Sequence, residues 1–254
     1  MDAGKSGDMV QGVYRQMMVS LIQMSCSNNL ERNLKKHITY INKVRSDIIV
    51  FPECSLTGYD LQYLKKYHKE KVFSRLQQAF EKFHEISASE DRYIIIGTPY
   101  LMRNRLYNCS YIFKPDGSSL LYFKRNLTEE ERTVFSEGNR DVILELNTAR
   151  ISIIICRDQS DPMLFKKLKQ HGVDHIIIQS AHFYNPDDVF WKRNKNIAIP
   201  IVRALDFGIN ILKVNAVGKL QKRISHGNSM VVDKYGRIIK ILDEYNEDII
   251  YYRL

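Results

Sequence analysis

Residues 18–24 are mainly apolar and give way to a polar break, the pattern of a buried strand. Asn28-Asn29-Leu30-Glu31 then supplies an N-cap with a carboxylate three residues behind it, and Leu30, Leu34, Ile38, Ile41 and Val44 mark the apolar face of a helix. A β-rich run at 47–51 stops at Pro52. Leu61, Leu64, Val72, Phe73, Leu76, Phe80 and Phe83 recur at helical spacing in a mixed-charge background, which predicts one long helix ending near Ser87. Strand, helix, strand and helix in this order suit parallel strands joined by crossover helices.

The middle of the chain changes character. Short strand-like runs at 93–96, 109–113 and 120–123 follow, with Pro115-Asp116-Gly117 as a turn between the last two, so antiparallel pairing is expected. A long β stretch at 142–156 carries a bend near Asn147, and Asp161-Pro162 opens a helix that Gly172 ends. A strand at 175–179, a helix at 187–207 interrupted at Pro200 and a strand at 209–214 come next. Runs at 230–232 and 238–242 then pair across Lys234-Tyr235-Gly236. The sum is an α/β domain of stacked layers, two sheets packed face to face and covered by helices.

Composition narrows the class. With 44% hydrophobic and 26% charged residues in 254, and only 12 Gly and 6 Pro, a substantial core is within reach. No apolar run approaches a bilayer span, and residues 1–16 lack the apolar segment of a signal peptide. Those residues read as a loose tail before a single domain at 17–254. The net charge of +9 is spread among acids, and nothing resembles a nucleic-acid-binding motif, so a solvated basic surface is expected and neither nucleic acid nor membrane is a partner. Cys26, Cys54, Cys109 and Cys156 form no CxxC pair. They are expected as free thiols in a reducing, cytoplasmic setting.

Three apolar strands end in reactive side chains. Glu53 follows Ile48-Ile49-Val50-Phe51-Pro52, where desolvation raises a carboxylate toward the range of a general base. Lys124 ends Leu120-Leu121-Tyr122-Phe123, and Cys156 ends Ile151-Ser152-Ile153-Ile154-Ile155. Taken singly, each has an ordinary explanation: a turn acid, an edge-strand lysine, a buried thiol. Together, a base, a cation and a thiol meet the needs of acyl transfer through a thioester.

The strings Phe51-Pro52-Glu53, Lys124-Arg125-Asn126-Leu127 and Cys156-Arg157-Asp158, at intervals of 71 and 32 residues, resemble the three signature segments of the nitrilase, or carbon–nitrogen hydrolase, superfamily. Gly58-Tyr59, Leu106-Tyr107-Asn108, the run from Glu131 to Phe135 with Gly138, Arg203-Ala204-Leu205-Asp206 and Gly227-Asn228-Ser229 extend the resemblance over nearly the whole chain. It implies a four-layer αββα sandwich. It also implies Glu53 as general base, Lys124 as the cation beside the oxyanion, Cys156 as nucleophile and Glu131 as the second glutamate, with Glu129 and Glu130 open as alternatives for that role. The backbone N–H of Arg157 would complete the oxyanion hole.

The implied reaction is hydrolysis of a non-peptide C–N bond in a small amide, with release of ammonia and no metal or organic cofactor. A nitrilase or N-carbamoyl amidohydrolase could use the same triad. Cys156-Arg157-Asp158-Gln159 is similar to a string of some N-carbamoyl amidohydrolases. Tyr59, Arg157, His182 and Phe183 are the expected substrate-binding residues. Arg157 stands where many members have an aromatic residue, and it either faces a substrate carboxylate or pairs with Asp158 or Asp161. His171 and His175 straddle Gly172 and share no helical face, so no metal site is expected. Phe190 and Trp191 read as packing residues and 213–223 as a solvated basic loop or interface edge. The apolar content of the helix after Asp187 suggests a homodimer or larger assembly.

Overall fold

Residues 16–146 and 149–254 are described in the structure, a computed structural model. In chain order the strands are β1 (Met18–Gln23), β2 (Ile48–Val50), β3 (Tyr93–Met102), β4 (Arg105–Phe113), β5 (Ser119–Phe123), β6 (Ile143–Glu145), β7 (Arg150–Ile155), β8 (His175–Ser180), β9 (Asn210–Asn215), β10 (Gly218–Leu220), β11 (Arg223–Ser225), β12 (Met230–Val232), β13 (Ile238–Ile241) and β14 (Asp248–Arg253). The helices are α1 (Leu30–Lys43), α2 (Leu61–Leu64), α3 (Glu70–Ser89), α4 (Glu129–Arg132), α5 (Pro162–Gln170) and α6 (Pro186–Phe207).

Two mixed six-stranded sheets form, in the orders β14-β1-β2-β3-β4-β5 and β13-β12-β9-β8-β7-β6. Alternation along the strands sorts their side chains. Ile22, Ile49, Phe51, Ile94 and Ile96 pack with Ile41 of α1 and with Phe73, Leu76, Phe80 and Phe83 of α3. Val19, Leu21, Ile48, Val50 and Ile95 enter a second cluster, shared with Ile151, Ile153, Ile176 and Ile178 of the other sheet and with Leu164, Phe165 and Leu168 of α5. Both faces of each sheet are therefore covered, and the architecture is the expected α/β sandwich. Strands buried on both faces explain why β2, β7 and β8 are near-continuous apolar runs.

Several boundaries differ from the sequence reading. The helix expected from Leu61 to Ser87 divides into α2, a 3-10 turn at Lys65–His68 and α3, because Lys69 is extended. The middle hairpin is longer than expected: β3 and β4 turn through Arg103 and Asn104, both with positive φ, which matches the right-handed twist of the paired strands. The β stretch at 142–156 is an antiparallel pair, β6 and β7; the bend near Asn147 lies outside the described residues. The same holds for the tail at 1–16, Gln16 excepted.

Helix α6 continues through Pro200 instead of breaking there. Phe190 and Trp191 on it are exposed, not packed. The basic segment at 213–223 is no solvated loop, since Lys213 is buried in β9 and β10 pairs with β11. Strand β14, unanticipated, pairs antiparallel with β1. Among the described residues, no helix is long and apolar enough to cross a membrane.

Candidate active site

Glu53 follows β2, while Lys124 follows β5, three strands away in the same sheet. The turn after Pro52 closes that distance by crossing β3 at Gly97, where a Cβ would lie 2.3 Å from the Pro52 carbonyl oxygen and 2.6 Å from the Glu53 Cα. Only glycine admits this approach. Across it, Asn108 of β4 donates to Glu53 Oε1 at 2.8 Å, and the N–H of Ala181, just beyond β8, donates to Oε2 at 2.9 Å. Glu53 is thereby fixed between the two sheets, wholly buried. Burial raises its pKa, and the Lys124 ammonium only partly opposes this.

Lys124 Nζ donates to Glu53 Oε1 at 2.8 Å and to Glu131 Oε1 at 2.6 Å. Burial works against its charge, but Glu53, Tyr59, Cys156 and Glu131 outweigh that and hold its pKa well above the ordinary lysine value. Glu131 owes its place to a capping box on α4: the Thr128 side chain accepts from the Glu131 N–H, and Glu131 Oε2 accepts from the Thr128 N–H at 2.8 Å. The other oxygen, Oε1, is left for Lys124 and for Tyr59, whose hydroxyl donates at 2.6 Å. Burial would raise the Glu131 pKa, yet Lys124 and the other donors bring it below the usual carboxylate value. Of the three neighbouring glutamates, Glu131 meets Lys124; Glu129 and Glu130 are exposed, and Glu130 reaches Arg223 at 3.4 Å.

Cys156 begins a five-residue 3-10 turn directly after β7, with a φ of 46°. A non-glycine residue held there carries strain of about 1–2 kcal/mol, and such strain persists where neighbours enforce it. Asp158 is the enforcer. Its carboxylate accepts from Tyr122 Oη at 2.8 Å, from the Ile155 N–H at 3.1 Å and from the Arg125 and Asn126 N–H groups at 3.2 and 2.8 Å. One buried carboxylate therefore ties the cysteine turn to the end of the lysine strand. From the far side, Arg203 of α6 donates to the Gln159 and Ser160 carbonyls. Burial, then the charge of Glu53, raises the pKa of the Cys156 thiol. All four cysteines are unpaired, and Cys156 alone is not fully buried.

A cavity of about 720 Å³ opens above these groups. Lys124, Glu131, Cys156, Tyr59, Arg157, His182 and Phe183 all line it, so every expected site residue except the more deeply buried Glu53 reaches it. Tyr59 differs from expectation in that its hydroxyl is committed to Glu131. Arg157 is exposed and, among the described residues, has no ion pair: Asp158 is spent on the contacts above, and Asp161 caps α5 through the Met163 and Leu164 N–H groups. His182 is buried and stacks on Tyr184 at 5.9 Å. Burial, then Lys213, Lys124 and Lys195, push its pKa well below the usual histidine value, so its ring is neutral.

Sequence reasoning singled out neither Gly97, Tyr122 nor the latching role of Asp158. It also missed Lys195 and Asn196, which face the cavity from α6. A lysine on a polar helix face gives no signal of the cavity it borders.

The family profile described as carbon-nitrogen hydrolase matches residues 18–254. The chain is 26% identical to an (R)-stereoselective amidase of a Pseudomonas species over 234 residues, covering 88% of this chain and 80% of that one. It is 27% identical to a 2-oxoglutaramate amidase of Bacillus subtilis over 228 residues, covering 87% and 84% of the two chains. Among solved structures, the glutamine-dependent NAD+ synthetase of Acinetobacter baumannii in complex with ADP aligns with a TM-score of 0.84 and 26% identity. That alignment covers 93% of this chain and 45% of the synthetase.

Proposed function

Since the chain belongs to the carbon–nitrogen hydrolase family, we propose that it is an amidase that hydrolyses a small carboxamide through a thioester on Cys156. The observation that carries this reading is the convergence of Glu53, Lys124 and Cys156: Lys124 and Cys156 line one cavity, and Glu53, buried behind them, is bonded to Lys124 and near enough for its charge to act on the thiol. The Glu53 carboxylate takes the thiol proton as sulfur attacks the amide carbon, forming the C–S bond. The oxygen that gains charge is met by Lys124 Nζ and the Arg157 N–H. Glu53 then returns the proton to the nitrogen, the C–N bond breaks and ammonia leaves. Water attacks the thioester, giving a proton to Glu53, and the carboxylic acid departs as the thiol is restored.

The opposed shifts of the two carboxylates divide their roles. Glu131, lowered, stays the ionised partner of Lys124, while Glu53, raised, exchanges the proton. On the substrate side, exposed Arg157 and Lys195 border the cavity without an ion-pair partner among the described residues, which supports a substrate carrying a carboxylate. A second reading, an N-carbamoyl amidohydrolase, is favoured by Gln159, whose buried Oε1 has no hydrogen-bond partner among the described residues and, on a residue of the cavity wall, could accept from a second substrate N–H. We also propose a homo-oligomer, because Phe190, Trp191, Val202 and Leu205 expose a large apolar surface on α6. Ammonia release from a panel of amides, nitriles, carbamoyl amines and glutamine, with the Cys156→Ala protein as the blank, tests the reaction class. Amide turnover above that blank supports it; turnover confined to nitriles or carbamoyl amines, or undiminished in the blank, overturns it.

A further inference from the structure

Pro200 stands inside the 22-residue helix α6 and has no N–H, so the carbonyl of Asn196, four residues earlier, loses its helical donor. That carbonyl is not left bare. Lys213 Nζ, from β9, donates to it at 2.7 Å. Lys213 is 1% exposed and lies between the buried Leu212 and Val214, a place in a central strand where an apolar side chain is the ordinary occupant. Burial brings its pKa down to about 7; amine and ammonium both keep N–H groups to donate, so the bond does not depend on the charge.

The segment so held faces the cavity. Asn196 exchanges hydrogen bonds with Tyr184 Oη through its side-chain amide, at 3.1 and 3.3 Å, and Tyr184 stacks on His182. Tyr184, His182, Lys192, Lys195 and Asn196 all line the cavity. Beyond Pro200, the same helix is anchored to the cysteine turn through Arg203. Without a donor at Asn196, the two halves of α6 would meet at a broken turn, with the cavity wall on one side and the cysteine anchor on the other.

We propose that Lys213 is a positioning residue that replaces the N–H missing at Pro200 and so fixes the part of α6 that forms the substrate-facing wall. The proposal leans on the amidase reading only for its kinetic arm. It predicts that lysine and proline act as a pair: Pro200→Ala restores the backbone donor and makes the lysine dispensable.

The test is a double-mutant cycle of wild type, Lys213→Met, Pro200→Ala and the double variant, read by denaturant midpoint and by KM and kcat on a small carboxamide. Lys213→Met alone should lower the midpoint and raise KM about tenfold with kcat changed less than about threefold. In the Pro200→Ala background the same substitution should change KM less than about threefold and lower the midpoint far less than it does in wild type. Should Lys213→Met fail to fold, the double variant should fold. Equal effects in both backgrounds, or failure of both to fold, would overturn the pairing and leave Lys213 as core filling. A fall in kcat at constant KM would overturn its role in the wall. If wild type turns over no amide, the amidase reading fails, and the midpoint cycle still decides the pairing.

Discussion

The base of the cavity and its rim handle charge in opposite ways. At the base, each oxygen of Glu53 and Glu131 accepts from at least one donor, and Lys124 bridges the two carboxylates, all three side chains being buried. At the rim, Arg157, Lys195 and Glu129 are exposed and have no ion pair among the described residues. Buried charges that are fully paired act on one another at low dielectric and hold one geometry, whereas exposed charges are screened and free to take a ligand. On the proposed mechanism, the base would serve one chemistry and the rim would select what is brought to it. Substitutions at the base should therefore act on kcat, and those at the rim on KM.

The largest effects are expected at the base. Glu53→Gln should lower kcat at least about a thousandfold, because it removes the proton acceptor while keeping the shape. Lys124→Met should match that loss and also destabilise the fold by about 3–5 kcal/mol, since two buried carboxylates lose their common partner. A kcat within tenfold of wild type in either variant would break the contrast. Next is a matched pair. Glu131→Gln should reduce kcat about a hundredfold, while Glu129→Gln, two residues away at the rim, should leave kcat within about twofold. Equal effects would place the functional glutamate elsewhere on α4.

At the rim, Arg157→Leu should cost about tenfold to a hundredfold in kcat/KM for an amide carrying a carboxylate and about twofold or less for a neutral one. Equal losses on both would show that the arginine only shapes the loop. The smallest expected effect is a displacement on the pH axis. In the proposed mechanism Glu53 must be ionised to take the thiol proton, and burial raises its pKa above the usual carboxylate value of 4.5. Activity is then full above that raised pKa and lost as pH falls through it, so the acid limb of kcat/KM lies above pH 4.5, and rim substitutions leave it in place. An acid limb at or below the ordinary carboxylate value would contradict the assignment of Glu53.

The same contrast explains what could be read from the residues alone. Glu53, Lys124 and Cys156 each follow an apolar strand, which gave three separate candidates with ordinary explanations, and the resemblance of their three strings to the family's signature segments brought them together. Glu131 stayed open among three glutamates, although Thr128 three residues before it spells a capping box that singles it out. Lys213 reads as a surface lysine because its need arises from Pro200, on a different element; only the fold brings donor and orphaned acceptor together. Strand β14 depends on pairing with β1 at the other end of the chain, which no local pattern announces. The rim was least legible, since exposed side chains on α6 and on the cysteine turn meet only across the cavity.

The central claim is that Cys156 carries the acyl group. Rapid quenching of the wild-type protein during amide turnover, followed by intact-mass and peptide mass spectrometry, tests it most directly. A thioester on Cys156 requires an adduct equal to the substrate minus ammonia, mapped to Cys156 and labile to hydroxylamine, with neither adduct nor turnover in Cys156→Ala. Turnover that persists in Cys156→Ala, or an adduct mapped to any other side chain, would contradict it.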